Sequence, residues 1–552
     1  MWLINTETFV LEYFVDPPSG SYAILSHTWT DNELSFQEFK DTKRASSHPG
    51  WQKVESTCRL AKEHGLSFAW VDTCCIDKSS SAELTEGINS MFRWYQEAAV
   101  CYVFLFDMPS ISGNVETFEI SEGGFKSPDQ EFLDTFESSR WLTRGWTLQE
   151  LIAPRNVLFL DVEWKPRASK SACPKFLSTV TDIDENVLED VDNLQSVLVA
   201  RRMSWAANRQ TTRTEDLAYC LLGIFDINLP LLYGEGNKAF LRLQEAIVNQ
   251  SCDLSLLAWI DRNPDSVYRG IFAKSPAEFE QCNQLMHSYG GQTPDTEFTI
   301  TNKGLRIQST LVRVYDQGTS FLAFNLGIID PRWRRGANGW VGIYVSKTTR
   351  GYVRSRPHEL YLAGSETGHR RRMESSLMYL RKTLTAVEIH VISKQFRNAL
   401  VLRHSSCPSM DLVDVQPRDL WCVPESLCLD PGIGLNVYFM LKMSVDKRRR
   451  PPFNVLVACS TFGEPRCAVW SEQDELAWET LWGFLKTPKE RSDFAAFDYL
   501  GNYFGKFMEN KLATRYKAAG SRAVATVSTN LTPTGEGDER RYILDVSCVW
   551  SS

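Results

Sequence analysis

The sequence predicts an α/β domain built on a parallel sheet flanked by helices, then a helical extension, then a β-rich C-terminal domain. Strand and helix signals alternate through the first part of the chain, the pattern that covers both faces of a parallel sheet. Helical periodicity takes over from about 166 to 260, and beyond 261 short β-branched and aromatic runs are divided by turn residues, as in a sandwich or barrel. The domains are accordingly placed at 1–165, 166–260 and 261–552, and 552 residues suit two to four packing units at about 100–200 residues each.

Tyr22-Ala23-Ile24-Leu25-Ser26 is a short apolar strand. Val54, Cys58 and Ala61 then recur at helical spacing until Gly65 stops the run. Phe68 to Asp72 makes a second strand, and Leu84, Ile88, Met91, Phe92, Tyr95 and Ala99 mark the face of a long helix. The uninterrupted apolar run Val100–Phe106, ending at Asp107, suits a strand buried on both faces. After a polar stretch from Pro109 to Gln130, a helix begins near Thr147 and Asn156–Leu160 forms a strand. In the extension, Thr212 and Glu215 have capping-box spacing, Tyr233-Gly234-Glu235-Gly236 reads as a turn, and Phe240, Leu243, Ala246 and Ile247 define an amphipathic helix. Later strands are expected at Phe298–Ile300, Leu311–Val314, Val387–Ile392, Val437–Phe439, Asn454–Val457 and Tyr542–Val546, with a helical insertion around Asp474 to Leu485.

Composition narrows the function. A chain that is 43% hydrophobic and 23% charged is globular material, and a net charge of -8 argues against general affinity for nucleic acid or anionic lipid. The 14 cysteines show no Cys-x-x-Cys spacing, so no zinc site is expected, and they read as reduced cytosolic thiols. The acidic N-terminal segment is neither a signal nor a transit peptide, and no apolar run reaches the ~18 residues of a membrane span. A cytoplasmic protein is expected. The basic run Lys447–Arg450 reads first as a solvated loop, as does Arg370–Arg372, with a nuclear localisation signal as the alternative for the former.

Ligands of open parallel sheets sit at the carboxyl ends of strands. That rule selects Ser26, His27 and Trp29 after the first strand, Asp72 to Asp77 after the second, and Asp107 after the third. Each has a plainer reading: His27 as a hydrogen-bonded structural residue, Asp72 as a turn cap, the Cys74–Cys75 pair as buried apolar filler. Arg140 to Leu151 packs two Trp, two Arg and a carboxylate into twelve residues. Thr147 and Glu150 have capping-box spacing; alternatively the aromatic faces and Arg144 hold a flat anionic ligand on which Glu150 acts.

Tyr22–Trp29, Trp70–Lys78 and Arg144–Leu151 resemble, in order, spacing and content, the three signature blocks of the fungal heterokaryon incompatibility (HET) domain, and Ser204–Ile247 resembles the extension that often follows it. The chain lacks the phosphate-binding loop and the blade-length repeats that often continue such proteins. The resemblance implies a fungal trigger of programmed cell death after non-self recognition, self-association on activation, and an allelic or non-allelic protein partner. A second similarity, of Trp146-Thr147-Leu148-Gln149-Glu150-Leu151 to the TIR pattern Trp-Cys-x-x-Glu-Leu, implies a TIR-like sheet and an NAD nucleosidase activity with Glu150 as the catalytic carboxylate. Thr147 stands where that pattern has Cys. By this analogy Ser26, His27, Trp29, Asp72, Ile76, Arg144 and Trp146 line the pocket, with NAD as substrate rather than cofactor. The alternative function is a non-catalytic death-signalling and protein-interaction module. The β-rich domain is expected to serve recognition or regulation.

Overall fold

The computed structural model describes residues 1–110 apart from 17–18 and 42–44, then 128 and 130–288, most of 297–403, and beyond 411 chiefly the strands of the C-terminal sheets. The expected insertion at Asp474–Leu485, the Lys447–Arg450 run and most of Pro109–Gln130 lie outside the described residues.

Seven strands form the first sheet: β1 (Trp2–Asn5), β2 (Leu11–Tyr13), β3 (Tyr22–His27), β4 (Phe68–Trp70), β5 (Val100–Phe104), β6 (Val157–Leu160) and β7 (Pro166–Ser169), in the order β2-β1-β4-β3-β5-β6-β7. The middle four are parallel, and β1, β2 and β7 add antiparallel edges that the sequence reading did not place. β7 lies within the segment assigned to the extension. Every residue of β3, β5 and β6 is buried, as an apolar run covered on both faces requires.

The covering helices follow from the expected stripes. Trp51–Glu63 buries Val54, Cys58 and Ala61 against β3 and β4. It ends at Gly65 (φ +72°), where Leu66 N–H bonds the Ala61 carbonyl and Gly65 N–H bonds that of Lys62, the paired bonds of a Schellman stop. Ser81–Glu97 covers the opposite face, capped by Ser80 and packing Trp94 and Tyr95 edge-on to Trp70. It stops before Ala99, whose N–H already bonds the Tyr22 carbonyl in the sheet. The short helices Gln130–Phe136 and Arg140–Thr143 bring Phe132, Phe136 and Trp141 onto Phe159 of β6.

The extension is helical, with Val199–Ser204 and Lys238–Gln250 its main contributors here. Its expected capping box does not form. Glu215 turns away to accept the Gly234 and Gly236 amides (2.8 and 2.9 Å), both at positive φ, so the helix starts at Asp216 and Glu215 holds the Tyr233–Gly236 turn. At Gly223 an added Cβ would lie 2.1 Å from the Cβ of Phe92, so the extension meets the Ser81–Glu97 helix without space for a methyl group.

One apolar core continues from Leu3 and Ile4 through Leu221, Leu243 and Leu257 to Phe324 and Leu380 of the next sheet. That sheet has eleven strands among the described residues, between Tyr268 and Leu380. Fully buried Arg354 joins it to the extension by donating to the Leu257 and Trp259 carbonyls (2.9 and 2.5 Å), and the guanidinium groups of Arg354 and Arg269 both lie against the Trp259 ring. Two smaller sheets follow, of six and four described strands.

Two expectations are corrected in this region. Val387–Ile392 is helical, within Ala386–Arg397, because Thr385 and Glu388 form a true capping box and Val387 is left 73% exposed. Arg370–Arg372 forms a strand paired with Val312–Val314, not a solvated loop.

Candidate functional site

The parallel strands run β4-β3-β5-β6, so chain order reverses at β3, and the crevice beyond its carboxyl end is where an open α/β sheet binds ligands. Successive residues of a strand face opposite sides. Ser26 and His27, the last two of β3, therefore enter two different clusters.

Ser26 donates to Glu150 Oε2 (2.5 Å) and accepts from Trp141 Nε1 (2.7 Å). Trp141 is delivered by Asp107, which bonds Ser139 Oγ (3.0 Å) and Arg140 N–H (2.8 Å) at the start of the Arg140–Thr143 helix. Asp107, a strand-end candidate, thus builds the site's wall. Glu150 lies in the helix Thr147–Ile152, which has no side-chain cap at its start. Thr147 is its first residue, and its hydroxyl reaches the Trp141 and Arg144 carbonyls (2.6 and 2.9 Å), so the expected capping box with Glu150 is absent. Lys170, buried, secures the other end by donating to the Leu151 and Ile152 carbonyls (3.1 and 3.3 Å) and to that of Pro154.

Glu150 is 8% exposed. Burial, aided by the negative Asp72, outweighs the lowering effects of Ser26, Tyr95 and Arg209 and leaves its pKa raised to about 8. The carboxyl is mainly neutral at pH 7.

On the other face His27 joins the charged groups of Asp72, Lys53 and Glu33 in one network. Lys53 Nζ lies 3.0 Å from His27 Nδ1 and also donates to the Thr28 carbonyl (3.4 Å) and to Glu33. An ammonium only donates, so Nδ1 accepts and the ring proton sits on Nε2, facing Asp72 Oδ1 at 3.2 Å. Asp72 Oδ2 accepts Trp29 Nε1 (2.8 Å), and Lys78 Nζ stands 3.7 Å from the centroid of the Trp29 ring, which is 50% exposed. Burial works to raise the Asp72 pKa, but His27, Lys78 and Trp29 outweigh it and hold the carboxyl below its ordinary range.

The structure therefore brings Ser26 and Glu150 together in one cluster and His27, Trp29 and Asp72 in its neighbour. Ile76 is in the core, against Gly87 of the long helix. Arg144 and Trp146 meet the extension, Arg144 through Thr212 (3.5 Å) and a bridge to Gln210, Trp146 through Asp216. Sequence reasoning missed Tyr95, Lys53, Glu33 and Arg209 as members of the site. Trp141 stood in the quoted block, yet nothing local marked its indole as the partner of Ser26. Among the described residues no group of His, Cys, Asp and Glu is arranged to hold a metal ion, and no helix is long and apolar enough to cross a membrane.

The three blocks meet at the carboxyl end of β3, and sequence comparison agrees with them: residues 22–150 match the family described as heterokaryon incompatibility protein (HET), so that segment of the chain is a HET domain. It is similar to the vegetative incompatibility protein HET-E-1 of Podospora anserina, 46% identical over 238 residues, a stretch longer than the family segment. The match covers 42% of this chain and only 17% of that relative. No solved structure matches the chain at a significant level.

Proposed function

We propose that this protein is a fungal heterokaryon incompatibility effector that triggers cell death after non-self recognition by cleaving NAD at the nicotinamide–ribose bond, on a sheet related to that of TIR domains. The observation that carries the reading is Glu150: a carboxyl that caps nothing, held by Ser26 beyond the strand where chain order reverses. In the reaction the ribose C1′–nitrogen bond breaks, its electron pair leaves with nicotinamide, and water adds to C1′ and releases a proton. Positive charge develops on the ribose, and an ionised Glu150 stabilises it or orients a ribose hydroxyl. The half-exposed Trp29 ring supplies a stacking surface, and Lys78 beside it a cation for phosphate. His27 and Asp72 fix that wall, while Arg144 and Trp146 reach the ligand only if the extension shifts.

Purified protein, alone and in an assembled state, is expected to release nicotinamide from NAD with a rate that rises with pH around a midpoint near 8, as the carboxyl ionises. Glu150→Ala is expected to lower the rate at least ~100-fold. Cleavage retained in that variant removes Glu150 from the mechanism. The burial of Glu150 favours the second reading, a non-catalytic module signalling death through a protein partner after self-association. A folded Glu150→Gln variant that still kills cells supports that module.

A further inference from the structure

Arg209 comes from the extension, 59 residues beyond Glu150 and outside the segment matched to the family. It is 8% exposed. Its Nη1 donates to the Arg144 carbonyl (2.9 Å) and to Thr147 Oγ1 (2.9 Å), and its Nε to the Trp205 carbonyl (3.2 Å). The first two acceptors stand at the entry to the helix that carries Glu150. Thr147 in turn reaches the Trp141 carbonyl, and the Trp141 indole holds Ser26, the direct partner of the carboxyl.

The backbone around this contact is equally close. Gln210 N–H bonds the Thr143 carbonyl (2.7 Å), Gly145 N–H bonds the Gln210 carbonyl (2.9 Å), and a Cβ on Gly145 would lie 2.6 Å from Thr211 Cγ2. A side chain at position 145 would therefore require Thr211 to move aside. None of the hydrogen-bond partners of Arg209 among the described residues is a carboxylate, so its charge is not consumed in an ion pair.

We propose that Arg209 is a positioning residue for Glu150, fixing the Arg144–Thr147 turn from the extension and thereby the place of the carboxyl at the end of β3. The family segment alone does not complete the site. A fixed guanidinium near a buried carboxyl also favours the carboxylate, the form that NAD cleavage requires. The proposal rests on Glu150 as the functional carboxyl, yet its test needs no substrate.

The measurement is the titration of Glu150 in the full chain, followed by the 13C carboxyl resonance that disappears in Glu150→Gln. Its midpoint is expected near 8. Arg209→Met is expected to raise it by about one pH unit, and Arg209→Lys, which keeps the charge but lacks the second, Nε donor that anchors the group to the Trp205 carbonyl, by about half as much. An unshifted midpoint in either folded variant overturns the proposal. So does failure of both to fold, which would make Arg209 a residue of folding rather than positioning. If the midpoint moves while the protein never consumes NAD, the proposed activity falls and the positioning role stands.

Discussion

Ser26 and His27 are adjacent in sequence and belong to electrostatic environments of opposite kind. On the Ser26 side a carboxyl is buried with hydroxyl and aromatic neighbours, and its pKa rises to about 8. On the His27 side two carboxylates are matched by two lysines, and Asp72 and Glu33 are held below their ordinary range although burial acts against them. Burial is common to both, so it is not burial that decides ionisation but what accompanies it. Where cations and N–H donors converge, the charge persists; where they are few, the proton stays. The sheet achieves the separation with the alternation of a single strand.

The largest expected effect tests the neutral side. Below about 4.5, the ordinary value, Glu150 is protonated in folded and unfolded chains alike, and its contribution to stability is complete. As pH rises towards 8 only the unfolded chain gives up the proton, so stability falls by about 1.4 kcal/mol per pH unit until the folded carboxyl ionises as well. Glu150→Gln removes this loss, and its stability relative to the unmodified chain, from urea unfolding at several pH values, is expected to climb across that window. A constant difference between pH 5 and 8 would place Glu150 with the ionised carboxylates. Next comes Lys53→Met, which strips Glu33 and His27 of a shared partner and is expected to cost about 3 kcal/mol. A cost below 1 kcal/mol on the same assay would show the network to be loosely solvated. The smallest effect is that of Ser26→Ala, about 1–2 kcal/mol for two unpaired buried groups, together with a higher Glu150 midpoint because a hydrogen bond to the carboxylate is lost. An unchanged midpoint would mean that Ser26 does not hold the carboxyl in solution.

The sheet was legible because strands buried on both faces announce themselves as apolar runs, and the Trp51–Glu63 and Ser81–Glu97 helices because their stripes sustain a period over several turns. The short antiparallel strands β1, β2 and β7 offer at most the three apolar residues Trp2–Ile4. Capping pairs were the unreliable signal. Thr147/Glu150, Thr212/Glu215 and Thr385/Glu388 share one spacing, and only the last forms a box. In the other two the glutamate finds a stronger partner far along the chain, Ser26 for Glu150 and the Gly234 and Gly236 amides for Glu215. Glu150 itself was found through its motif, but Tyr95 and Arg209 join it, and Lys53 joins His27, only by folding, and nothing local in the sequence records those meetings.

The grip of Arg209 on the Arg144–Thr147 turn has a consequence in time as well as space. A ribosome adds about 5–20 residues per second, and N-terminal units fold first as the chain emerges. Glu150 is therefore made several seconds before the guanidinium that secures its helix. A nascent chain carries the carboxyl without its clamp, and synthesis of the extension is the event that finishes the site.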